Sequence, residues 1–496
     1  MSTQPTVLKY FIAISLLHFL AGLIQIFFYP VVSMCNGIGY DGIWYIEKAV
    51  DINRKVDNYH IFRILPSYIC YYVLHITGLE KSWSNAINVF QYINLLAIQI
   101  FIWSTYSLSR ILKLDTKSAL ILALLALFNF NFSREAYFNP VMTDTVGAML
   151  TMLLLICYLQ RKYWLALCVG VLLLFTYSFA LMVFLLFVTF DRDNNLVSES
   201  FKQWKILIYG LAGAAFILPS IYWFYIRNRL TVYTFPDSII PELYPFSLIL
   251  NSVFVIVFFG ALWKMFLPQG LIKILREKLF NAPGLALLAL AVILVVVVKK
   301  VLEVTNEREK MDELRILLGN YWTYSNLKPL IGVVDSIQFF GLAVLILLFM
   351  LLKIARNVSN YGHLILIFFT LFLMLMPEAR HSLITLPFVL FILFKYIDFS
   401  AVKTSFFVYT LIFSVLVSKY YYPLHLAQFP PCHLLFSPET DETIYQQFPA
   451  QHFFMFSGIT ISHANYIIFA SVILVMAAGF WFLKDQLRLK SSTQEH

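Results

Sequence analysis

Long apolar runs recur from one end of this chain to the other, and that recurrence limits its fold more than any single motif. In the first half the runs are Leu8–Pro30, Ile87–Leu108, Ala119–Phe132, Val141–Leu159, Tyr163–Thr176, Phe179–Phe190 and Ile206–Tyr225. Phe246–Phe266, Leu285–Val298, Leu330–Leu352, Tyr361–Met376, Leu383–Phe394, Ser405–Val417 and Tyr466–Leu483 follow. A hydrocarbon core about 30 Å thick takes about 20 apolar residues per helix, with shorter segments inside packed bundles. Lipid offers the backbone no hydrogen bonds, so the runs are expected to be helical. The chain is 60% hydrophobic and only 13% charged, whereas soluble domains are about 45–50% apolar and about 25% charged. The sequence therefore predicts one integral, all-α, polytopic membrane domain with about 13–14 transmembrane helices.

The net charge of +9 does not point to nucleic acid. The bases sit at the ends of runs rather than in one block with aromatics, which is a signal of membrane orientation. Reading Tyr163–Phe190 as two short spans keeps the bases of the later turns on one side. Arg110, Lys113, Arg161, Lys162, Arg192, Lys202, Lys205, Lys264, Lys273, Arg276, Lys278, Lys353, Arg356, Lys403, Lys484, Arg488 and Lys490 then face the cytoplasm, with both termini. The external segments are Val31–Ala86, Asn131–Pro140, Arg227–Pro245, Lys299–Pro329, Pro377–Ser382 and Lys419–Asn465. Within the first of these, Arg63–Leu79 is apolar, with Pro66 near its start and Gly78 near its end. It reads as a helix lying at the membrane interface. The first run exceeds a signal-peptide core and is read as a retained span.

Five cysteines, Cys35, Cys70, Cys157, Cys168 and Cys432, show no C-x-x-C spacing, so neither zinc nor a dithiol motif is indicated. Unpaired thiols are expected, a Cys35–Cys70 bridge being the alternative. There is no H-E-x-x-H, G-x-S-x-G or phosphate-binding glycine loop.

The chemistry-bearing residues gather in the external segments. Asp41 stands in Asn36–Tyr45, a glycine-flanked aromatic turn just outside the first run. A carboxylate there can serve as a general base, or cap the helix Gly42–Val50. Arg63 can hold a phosphate with its planar fork of donors, or reach lipid headgroups. Asp144, in Pro140-Val141-Met142-Thr143-Asp144, opens a span on the same side. It can line a site or meet the positive end of the helix dipole. Glu378, Arg380 and His381 lie between two apolar runs with almost no loop, where charges usually line an aqueous cavity or pair. Lys299–Lys300 and the mixed-charge stretch Glu303–Arg315 read as a solvated external helix or a lid. The segment Lys419–Asn465 is large enough to shape an acceptor pocket.

Tyr40-Asp41-Gly42-x-x-Tyr45 followed by Arg63-x-Leu65-Pro66 resembles the first external loop of GT-C-type membrane glycosyltransferases. The resemblance extends to the Pro-x-x-Thr-Asp element at Asp144 and to Glu378-x-Arg380, where His381 replaces an aromatic. It implies a GT-C-like fold with juxtamembrane helices in the first loop. It implies inverting transfer of a monosaccharide from a polyprenyl-phosphate carrier to a glycolipid or polysaccharide on the outer face of a bacterial cytoplasmic membrane. Asp41 and Asp144 would be the catalytic carboxylates. Arg63, Arg380 and His381 would bind the donor phosphate, and Tyr40, Tyr45 and Glu378 would support them. The residues indicate no metal ligand set and no certain cofactor; a divalent metal bound by Asp144 is left open. A polymerase or flippase of lipid-linked oligosaccharides, or a small-solute transporter, are the alternatives.

Overall fold

The computed structural model describes residues 4–29, 31, 42–55, 60–191, 207–208, 210–212, 244–262, 293, 296–297, 300, 328–358, 360–374, 379–418 and 463–490. The expectations for Tyr40, Asp41, Glu378, Cys35, Cys432, Lys299, the stretch 303–315, and most of the spans at 206–225 and 285–298 and of 419–465 lie outside these residues. For Arg380 and His381 only the backbone is described.

The protein is mostly helical. In chain order the first helices are α1 (Gln4–Phe28), α2 (Gly42–Val50), a 3-10 turn (His60–Arg63), α3 (Leu65–Thr77), α4 (Trp83–Ile111) and α5 (Thr116–Leu127). A π-helical turn (Asn131–Glu135), the short α6 (Ala136–Phe138), α7 (Asp144–Leu159) and α8 (Tyr163–Phe190) follow. The remainder is α9 (Tyr244–Ala261), α10 (Ile331–Phe340), α11 (Leu342–Asn357), α12 (Tyr361–Leu373), a 3-10 turn (Ala379–Thr385), α13 (Leu386–Tyr396), α14 (Thr404–Ser418) and α15 (His463–Leu483). A small antiparallel ribbon pairs β1 (Ile397–Asp398) with β2 (Arg488–Leu489).

By length and composition four described helices can cross a membrane: Pro5–Phe28, Trp83–Ile111, Tyr163–Phe190 and Tyr466–Gln486. The pair Thr116–Leu127 and Asn131–Phe138, bent by 61°, makes up to five. Outward-facing Leu17, Phe27, Phe28, Leu474, Val475 and Phe482 give α1 and α15 an apolar exterior suited to lipid. At the centre, α7 buries thirteen of its sixteen residues, so it is the helix the others surround.

The 28-residue α8 is not one straight rod. Its path leaves helical geometry at Tyr177, where φ is −161° and ψ 79°. Tyr158 meets the ring of Tyr163 near the start of α8 and those of Phe184 and Phe187 near its end. A Cβ on Gly170 would lie 3.5 Å from Leu181. In a straight helix Tyr163 and Phe187 would be roughly 36 Å apart at 1.5 Å per residue, so the chain folds back at Tyr177. Two antiparallel halves result, matching the two short segments read from the sequence.

Two expected continuous spans are broken. The run Leu330–Leu352 divides at Gly341, whose φ of 68° and ψ of −146° suit only glycine. The run Ala119–Phe132 bends after Leu127. Average hydropathy does not see either break, because the runs around both remain predominantly apolar.

Local signals shape the first loop as the sequence leads one to expect. Pro66 occupies the first turn of α3, and Gly78 ends it in the left-handed region with φ 68°. One face of α3, with Pro66, Ser67, Cys70 and Leu74, is buried, while Ile69, Tyr72 and Ile76 are exposed. Thirteen residues make a helix only roughly 20 Å long, too short to cross a bilayer and suited to lying on one. Cys70 is a free thiol whose Sγ donates to the Ala86 carbonyl; burial pushes its pKa up to about 12. Cys157 and Cys168 are free as well.

Candidate functional site

Four elements meet at one end of the bundle: the His60–Arg63 turn, the apex of the α8 hairpin, the start of α7 and the Ala379–Thr385 turn. Phe175, just before the apex, packs with Ile61 and Ile64. Arg63 Nη2 donates to Tyr177 Oη at 3.3 Å, and its guanidinium carbon lies 4.7 Å from the centre of the Tyr177 ring. A Cβ on Gly147 would sit 3.3 Å from Tyr177 and 3.4 Å from Ile384. Asp144 is one turn before that glycine, in the first turn of α7. Tyr177 thus links Arg63 to Gly147, one turn after Asp144, and Gly147 also faces Ile384 of the Ala379–Thr385 turn.

Asp144 is 3% exposed, and its Oδ1 has no hydrogen-bond partner among the described residues. The same holds for Thr143 Oγ1, Asn139 Oδ1 and Ser133 Oγ. Ser133, Asn139 and Thr143 belong to a buried, irregular stretch between α5 and α7, which ends at Asp144. Its freed backbone carbonyls are met by side chains from other helices. Gln91 donates to the Tyr137 carbonyl at 2.9 Å, and Asn94 to those of Ala136 and Pro140 at 2.7 and 2.8 Å. Gln25 donates to the Ser133 carbonyl. Non-helical backbone inside a membrane bundle is tolerated where protein satisfies it in this way.

The base of the first loop is also built here. The helix α2 spans Gly42–Val50, so Asp41 directly precedes it. Trp44 stacks on His60 at 5.3 Å, and Tyr45 meets the same ring edge-on at 5.6 Å. Tyr45 is 2% exposed. Its ring is packed into the loop's interior against His60. Lys48 donates to the carbonyls of Ile52 and, at 2.7 Å, Arg54, closing the turn after α2. Burial lowers its pKa, while Asp51 acts in the opposite direction.

Sequence reasoning did not single out several charged residues at this end. Arg134 and Glu135 are buried in the π-helical turn, with Arg134 over the Tyr29 ring at 5.6 Å. Lys328 and Asp335, beside and within α10, are both fully buried. Burial lowers the pKa of Lys328 to about 8, with the Asp335 carboxylate pulling the other way. The turn Ala379–Thr385 packs between α7 and α10, so this second charged pair borders the same region. The signal was present: each pair is ionisable and abuts an apolar run. Among the described residues no group of three His, Cys, Asp or Glu side chains is placed to hold a metal.

The fold and site thus define a mostly helical protein that has, among the described residues, four helices long and apolar enough to cross a membrane, one of them folded back at Tyr177, and a buried, charged region at one end. No family model, curated protein or solved structure matches the chain.

Proposed function

We propose that this chain is an inverting, GT-C-like membrane glycosyltransferase using a polyprenyl-phosphate monosaccharide. The observation that supports the reading is the run of contacts from Arg63 through Tyr177 to Gly147, one turn after the buried Asp144, and on to Ile384 of the Ala379–Thr385 turn. Glycosyl transfer needs a carboxylate and a fixed cation within one site. The base takes the proton of the acceptor hydroxyl as its oxygen attacks the anomeric carbon. The bond from that carbon to the phosphate oxygen breaks on the opposite face, and a phosphate monoester leaves. Arg63 and Arg380 hold the developing dianion with preorganised donors, His381 lies beside them, and Glu378 orients Arg380. Asp41 is the base, and Asp144 orients the acceptor or takes over as base. The donor and a glycolipid or polysaccharide acceptor meet at the outer face of a bacterial cytoplasmic membrane, with both termini inside.

The test is transfer from a panel of labelled polyprenyl-phosphate sugars by the purified protein in liposomes. Asp41→Asn keeps a helix cap but cannot accept a proton, so donor binding is expected to persist. Transfer is expected to fall about a hundred- to ten-thousand-fold. Near-normal transfer would remove Asp41 as the base and leave Asp144. Movement of intact lipid-linked oligosaccharide across the liposome, without transfer, would favour the flippase reading instead.

A further inference from the structure

The geometry points to Tyr177 as the residue that positions Arg63 for binding a lipid-borne phosphate, an inference that rests on the reading of Arg63 as a phosphate ligand. An aromatic in an apolar run is by default a lipid-facing or core residue. Tyr177 is 5% exposed, so it does not face lipid, and it stands where the hairpin turns back. Its hydroxyl accepts from Arg63 Nη2, and its ring lies under the guanidinium. The hydrogen bond fixes the direction of the fork and the ring contact fixes its plane. A bidentate phosphate ligand needs both, since the two N–H donors must point at two oxygens together.

The other side of the ring ties this cation to the carboxylate. Tyr177 presses on Gly147 so closely that a Cβ there would sit 3.3 Å from both its Cβ and its Cδ2. Gly147 is three residues after Asp144 on a helix with little freedom to move, because nearly all of it is buried. Tyr177 is therefore wedged between Arg63 and the start of α7, and it sets the spacing of guanidinium and carboxylate. It acts through Arg63 and is a positioning residue, not a catalytic one.

The experiment measures binding of a short-chain polyprenyl monophosphate to the full chain in zwitterionic nanodiscs, with thermal melting to confirm folding. Tyr177→Phe keeps the ring and loses the hydrogen bond, and is expected to bind about three- to tenfold more weakly. Tyr177→Leu loses both contacts and is expected to bind more weakly still. In an Arg63→Ala background, which should itself bind poorly, adding Tyr177→Phe is expected to change nothing further. A purely structural tyrosine would not show that coupling. If Arg63→Ala binds poorly but folded Tyr177→Leu binds as wild type, this inference fails and the phosphate-site reading stands. An equal loss from Tyr177→Phe in both backgrounds also overturns it. If Arg63→Ala binds as wild type, the phosphate-site reading fails and takes this inference with it.

Discussion

The two ends of the bundle are built differently. At the end opposite Arg63 and Asp144, polar side chains are tied to one another. Asp191 accepts from Tyr158 at 2.8 Å and from Asn360 at 3.0 Å, and lies 3.5 Å from His363 Nε2. His363 Nδ1 is 2.6 Å from Tyr396 Oη. Lys117 donates to the Val402 carbonyl, Lys490 donates to that of Phe394, and β1 pairs with β2. None of the buried side-chain nitrogens or oxygens that lack a partner among the described residues lies at this end. They lie at the other end or midway, and include Ser133, Thr143, Asp144, Lys328, Ser336 and Gln338. An unsatisfied buried polar group costs about 1–3 kcal/mol, so a cluster of them needs a reason. A clasp with every bond made serves stability, while a region of spare polarity serves a ligand.

The charges differ in the same way. The clasped end is rich in bases, including Arg110, Lys113, Lys353, Lys403 and Lys490, with few acids. At the other end Lys48, Arg54, Arg63 and Arg134 are balanced by Glu47, Asp51, Glu135 and Asp144. Under the positive-inside rule this asymmetry fits the orientation proposed above, with the clasped end inside and the spare polarity outside.

If this contrast is sound, the largest stability loss belongs to the clasp. Asp191→Ala strands Tyr158, Asn360 and His363 and is expected to cost about 2–3 kcal/mol, read as a lowered melting temperature. Binding of polyprenyl phosphate by the folded fraction should be unchanged. Lost binding with stability intact would break the comparison. A smaller effect is expected at Lys328. Its pKa falls from 10.5 to about 8 on folding, so between those values the folded chain holds fewer protons than the unfolded one. Stability should therefore rise with pH from about 8 to 10.5 and be lowest below that window. Lys328→Met should flatten the slope, as melting curves across pH 7.5–10.5 would reveal; an unaltered slope would place the titrating group elsewhere.

Features set by adjacent residues were legible in the sequence. Pro66 and Gly78 mark α3, and α2 starts at the glycine after Asp41. The fold-back of α8 was readable because Arg161 and Lys162 precede the segment and Arg192 follows it, so both ends belong on one side. Features set by distant residues were not. The buried stretch holding Arg134 and Glu135 reads as an external turn, since its cover comes from Gln25, Gln91 and Asn94 on other helices. Tyr177 looks like any aromatic in an apolar run until Arg63, more than a hundred residues away, is seen beneath its hydroxyl. The break at Gly341 depends on a backbone angle that hydropathy does not encode.

The most direct test of the contrast is an experimental structure of the full chain in nanodiscs with a short-chain polyprenyl monophosphate bound. The account predicts phosphate density beside Arg63, with Tyr177 against the guanidinium and the start of α7 within reach of the lipid-linked group. Phosphate density at the Asp191 end, with the Arg63 region empty, would contradict it.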